Sequence, residues 1–111
     1  MPASDFVGRW NIYEMDMWSR DAIDMLDPAH IEFTHAGDGS LGFICVTGDF
    51  SWTLGKRGKK EVVTFDWEGN DEMDEADGSG WASLAKNGEL IGLIAFRGGD
   101  KSKFKARRFP K

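Results

Sequence analysis

Phe6-Val7-Gly8-Arg9-Trp10-Asn11-Ile12-Tyr13-Glu14-Met15 is the stretch on which the fold turns. A Gly-x-Trp step opens it, and the apolar and polar residues then alternate. Side chains leave a strand on opposite faces in turn. A strand over about Gly8 to Met15 therefore puts Trp10, Ile12 and Glu14 on one face and Arg9, Asn11, Tyr13 and Met15 on the other.

The same period of two returns along most of the chain. Ile31 and Phe33 alternate with polar neighbours, then Leu41, Phe43 and Cys45, then Phe50, Trp52 and Leu54. Val63, Phe65 and Trp67 follow, then a weaker segment from Trp81 to Ala85 whose inward face the pattern leaves open. Leu90, Gly92, Ile94 and Phe96, and finally Phe104, Ala106 and Arg108, complete the series. Alternation of this kind is the mark of half-buried strands. Gly37-Asp38, Gly48-Asp49, Gly55 to Gly58, Asn87-Gly88 and Gly98-Gly99 supply turn chemistry between them. One short helix is predicted over Arg20–Leu26, with Ser19 as its N-cap and Pro28 forbidding continuation.

Eight short strands joined by hairpins, with a helix only between the first two, predict a mainly β, antiparallel up-and-down barrel forming one domain over residues 1–111. Closure removes the unpaired edges of an open sheet. It also sets the last strand against the first and brings Arg108 to Trp10, where a guanidinium over an indole is favourable.

Composition bounds the function. A formal charge of −5 argues against general nucleic-acid binding. No apolar run reaches membrane-spanning length, and the first residues lack the basic start and apolar stretch of a signal peptide. A cytoplasmic protein with no membrane partner is the expectation. Cys45 stands alone, so no internal disulfide forms, and its strand phase makes it a small core residue. No phosphate-binding loop, nucleophile elbow or zinc motif is present, so neither a catalytic residue, a cofactor nor a metal site is assigned. The acidic loop Glu68–Asp77 holds six carboxylates and no base, but its spacing is not that of an EF-hand, and cation binding there is left open.

Gly8-x-Trp10 on a first strand, with Arg108 on the last, resembles the lipocalins and the wider calycin group. The resemblance implies that Trp10 plugs the closed end of a barrel, that Arg108 packs across it, and that Gly8, Trp10 and Arg108 are structural. It also implies a binding protein. The chain departs from the group in its shorter length, in its helix after the first strand, and in lacking a large helix after the last. The opening is similar, too, to that of a family of small uncharacterised bacterial proteins, which implies no activity.

With strands alternating up and down from the Trp10 end, the lower loops collect Lys56, Arg57, Lys59, Lys60, Arg107 and Arg108. The upper loops collect Asp16, Asp49, the Glu68–Asp77 loop and Asp100. Phe50, Trp52, Trp67 and Phe96, with Trp81 and an inward Glu14, make a candidate ligand site at the upper mouth. Rings beside a carboxylate suit a small cationic or aromatic ligand. The abundance of inward aromatic positions favours a packed core or shallow pocket over a deep cavity. The alternative is a solid-core interaction or structural module working through its outer faces. There, Tyr13, Met15, Met17, Trp18, Ile44, Val46, Ile91 and Leu93 form apolar groups, and an uncovered remainder implies a homodimer.

Overall fold

The computed structural model describes residues 6–18, 22, 24, 29–71 and 73–108. Eight strands lie among them: β1 (Gly8–Met15), β2 (His30–Phe33), β3 (Asp38–Phe43), β4 (Val46–Arg57), β5 (Lys60–Asp71), β6 (Asp74–Leu84), β7 (Leu90–Phe96) and β8 (Lys101–Arg108). They form a closed barrel in sequence order, every neighbour antiparallel, with β8 paired back to β1. The up-and-down barrel expected from the alternation is the observed architecture.

The seam is built as the sequence implies. Trp10 lies opposite Arg108 in the ladder. The Arg108 guanidinium sits 4.2 Å from the Trp10 ring centroid and donates to the Val7 carbonyl. The indole N–H donates to the Phe6 carbonyl at 3.0 Å, so the buried ring keeps its polar atom satisfied. Gly8 adopts φ 125°, and a Cβ there would lie 2.5 Å from Arg108 Nη1. Its lack of a side chain is what lets the arginine cross the lower end.

Two boundaries differ from the sequence reading, and a third lies mostly beyond the described residues. The predicted short helix between the first two strands falls almost entirely outside the described residues, and of those described within it Ala22 is helical. Asp24, within it, is at a turn, and its carboxylate accepts the Ala29 N–H at 2.8 Å. Next, the β3–β4 turn falls at Ile44-Cys45 and not at Gly48-Asp49, which lie inside β4. Ile44 takes φ 54°, a costly conformation for a β-branched residue. The strain is offset by register: Phe43 faces Val46 across the turn, and both are buried. Cys45 is therefore a half-buried turn residue, not a core strand residue. Finally, most of the predicted acidic loop is strand, because β5 runs to Asp71 and β6 starts at Asp74.

The Asn87-Gly88 turn forms where predicted, but as a longer loop. Gly88 takes φ 86° and Asn87 does not take positive φ. The Gly88 N–H donates to the Ala85 carbonyl at 3.0 Å, and the Ala85 N–H to that of Glu89 at 2.8 Å. The Thr34–Asp38 turn repeats this pattern with Gly37 at φ 92°.

The interior is filled with rings. Phe33 is the hub, with ring centroids 5.5 Å from Phe50, 5.6 Å from Trp52, 6.4 Å from Phe65 and 6.5 Å from Phe6. Two glycines make room for them. A Cβ on Gly39 would fall 2.6 Å from the Phe50 ring, and one on Gly80 2.4 Å from that of Phe65. Rings lying flat against bare backbone are how so narrow a barrel holds so many of them.

Candidate functional site

The predicted mouth residues divide between two places. Phe50, Trp52, Trp67 and Phe96 gather inside the barrel. Phe50 and Trp67 are 4% and 2% exposed, while Trp52 and Phe96 are half-buried. The four pack into the ring network and do not line an open mouth. Trp67 meets Phe96 edge-on at 5.2 Å, and its indole N–H donates to the Ala95 carbonyl at 3.2 Å. Above them Trp18, just past β1, lies 5.6 Å from Phe43 and 6.4 Å from Phe96. The sequence pattern puts Trp18 in an apolar group on the outer face. It instead covers the upper end of the core, which corrects the expectation of an aromatic box open to solvent there.

Glu14 and Trp81 face outward. The pairing of β1 with β8 shifts between Ile12 and Glu14, leaving Tyr13 as an extra residue. Such a bulge moves everything after it to the opposite face. Met15 becomes buried, and Glu14 is exposed, with its carboxylate 3.7 Å from Lys105 Nζ. Trp81 points outward because its neighbour Ala82 points in: Ala82 pairs with Val63, and both are fully buried.

The two outward residues meet again. Glu14, Trp81, Ile91, Lys103 and Lys105 line an apolar-walled cleft of about 390 Å³ on the outer wall across β1, β8, β7 and β6. Asp16 closes its upper edge. One Asp16 oxygen accepts from the Ser102 hydroxyl at 2.8 Å and from the Lys103 N–H at 2.9 Å. The Arg57 guanidinium lies over the Trp81 ring, 5.6 Å from its centroid. The sequence signals for this cleft were the outward apolar phase of Ile91 and the alternating lysines of β8. Neither fixes which way Trp81 points.

A second cleft, of about 690 Å³, crosses β4, β5 and β6 and is acidic. Asp49, Glu68 and Asp77 stand directly opposite one another across the three strands. Like charges so placed repel. Arg97 partly relieves this through its ion pair with Asp77 at 3.3 Å. The acidic residues thus form a side wall as well as an end. Among the described residues no group of three or more His, Cys, Asp or Glu could hold a metal ion. None of the described helices is long and apolar enough to cross a membrane.

Below the cleft, Tyr13, Glu89 and Arg107 form a polar cluster that ties the bulge to the Asn87-Gly88 turn. The Tyr13 hydroxyl donates to Glu89 Oε1, and the Arg107 guanidinium lies 4.1 Å from the Tyr13 ring centroid. Arg107 also approaches Glu89 Oε2 at 3.9 Å. The hydrogen bond to Glu89, followed by desolvation, raises the Tyr13 pKa above its usual value of 10.0. A group with a raised folded-state pKa lends stability that is complete below its unfolded value and lost as pH climbs through the folded one. Stability is therefore expected to fall above about pH 10, and less steeply in Tyr13→Phe. Tyr13 is the only tyrosine, so near-ultraviolet titration of its phenolate in folded and unfolded protein reads the shift directly. Identical titration midpoints in the two states would contradict it.

Comparisons of the chain with protein-family models, with curated proteins and with solved structures found no match.

Proposed function

We propose that this chain is a small binding protein of calycin-like architecture that takes its ligand on the outer wall, in the cleft beside Trp81, and not inside the barrel. The half-buried Trp81 indole over an apolar cleft carries the reading. A volume of about 390 Å³ lies within the ~300–1,000 Å³ range of small-molecule sites. The filled interior supports the same choice, since a ligand there would have to displace Trp18 and Phe96.

The ligand's chemistry follows from which groups are already engaged. Glu14 is met by Lys105, and Asp16 by Ser102 and the Lys103 amide. The acids are therefore not arranged as a box for a cation. The indole face and the Ile91 side chain favour a flat, aromatic or apolar body, with the Lys103 ammonium at the rim.

Titration of isotope-labelled protein with indole, benzoate and benzamidine tests this by nuclear magnetic resonance. Shifts are expected at Ile91, Lys103 and the Trp81 indole N–H, and Trp81→Ala is expected to abolish them. Shifts confined to Phe50, Trp67 and Phe96 would restore the interior site. Shifts that grow with protein concentration alone would point to a homodimer on this wall, and silence from all three probes would dispose of the cleft.

A further inference from the structure

We propose that β4 carries a free strand edge, at Leu54 to Lys56, that takes an extended acidic peptide segment as an added strand. The edge arises from unequal strand lengths. β3 covers β4 only as far as the pair Asp38–Ser51, while β4 continues to Arg57 with β5 alone beside it. The Trp52 N–H is the last to bond toward β3, reaching the Gly37 carbonyl at 2.9 Å. Alternate residues of a strand direct their backbone groups to the same side. Leu54 and Lys56 thus present theirs where β3 has already turned away. Leu54 is 37% exposed, and residues 55 to 60 are all exposed.

An open edge is a template for another strand. Charge selects which one. Lys56, Arg57, Lys59 and Lys60 surround this edge, with Glu61 the sole acid among them. None of the four is in an ion pair among the described residues. A second copy pairing antiparallel through the same edge would bring these exposed cations together, which disfavours self-association here. A fitting segment carries carboxylates opposite Lys56 and Arg57 and an apolar residue opposite Leu54. Arg57 links this edge to the Trp81 ring, but Leu54 and Lys56 do not line the Trp81 cleft, so exchange at those two amides separates the two proposals.

The test uses a capped, fluorescein-labelled peptide of about eight residues of Glu and Val, long enough to span the edge. Its Lys-and-Val counterpart and a single-stranded oligonucleotide serve as controls, all read by anisotropy. The acidic peptide is expected to bind, more weakly as salt rises. Leu54→Pro removes an edge amide that no strand in the barrel uses and is expected to weaken binding about tenfold. The double variant Lys56→Glu, Arg57→Glu is expected to abolish it. Amide exchange in the unaltered protein gives an independent reading if Leu54→Pro fails to fold: the Leu54 and Lys56 N–H groups become protected by the peptide. Absence of peptide binding, unchanged exchange at these two amides, or tighter binding of the oligonucleotide at the same residues would overturn the proposal.

Discussion

Phe33→Ala is expected to cost about 3–5 kcal/mol, the usual penalty for truncating a buried ring, and to lower the melting temperature by more than ~10 °C. The size of the effect follows from position. Phe33 touches Phe6 near the lower end, Phe50 and Phe65 in the middle, and Trp52 beside the β3–β4 edge. Rings that meet edge to face contribute more than their buried area alone, and one truncation removes four such contacts. The cavity left behind cannot collapse easily, because the walls are strands held by their ladders. Phe33→Leu keeps most of the volume and is expected to cost less than half as much. Denaturant unfolding with an unchanged slope checks both variants. A loss below about 1 kcal/mol for Phe33→Ala would mean that the rings do not form one packed unit.

Trp10→Ala is expected to be comparably damaging, at about 3–5 kcal/mol. The indole closes the lower end and is 1% exposed. Trp10→Phe keeps an aromatic plug but leaves the Phe6 carbonyl without its donor, a loss of roughly 0.5–1.5 kcal/mol. Arg108→Ala removes the stacked guanidinium and is expected to cost roughly 0.5–2 kcal/mol. Gly8→Ala separates two causes. Its Cβ would strike Arg108 Nη1, and its φ of 125° is unfavourable for any side chain. The double variant Gly8→Ala, Arg108→Ala relieves the clash but not the backbone. It should stay less stable than Arg108→Ala alone, and equality of the two would mean that β1 opens with a different backbone. Thermal melts of the five variants settle the order.

Much of the barrel was legible in the sequence because burial in strands obeys a period of two. Phe43, Phe50, Phe65, Trp67, Ile94 and Phe104 all point inward as their alternation demands. What alternation cannot carry is a change of phase. Ile12-Tyr13-Glu14-Met15 reads as uninterrupted strand, and only the bulge, set by pairing with β8, turns Glu14 out and Met15 in. The apolar Met15, off phase in that reading, was the one local sign. Ile44 shows the same limit from the other side. Gly48-Asp49 is the better turn by local preference, yet tertiary register places the bend at Ile44-Cys45 and accepts a positive φ there. The candidate site was legible only as residue types. Glu14 and Trp81 do share a cleft, but on the outer wall, where the phase of Glu14 implied the inner face and that of Trp81 left the side open.

The β1–β8 ladder is the single neighbour pair that joins opposite ends of the chain; every other ladder links consecutive strands. Hairpins can form early and independently, whereas this seam needs the whole meander in place, so ring closure is expected to be the slowest step of folding. It also places Gly8 beside the last residues of β8. A permuted chain with a short linker across that gap, reopened at Gly58-Lys59, would turn this seam into a local hairpin and make the long β4–β5 ladder the end-to-end closure in its place.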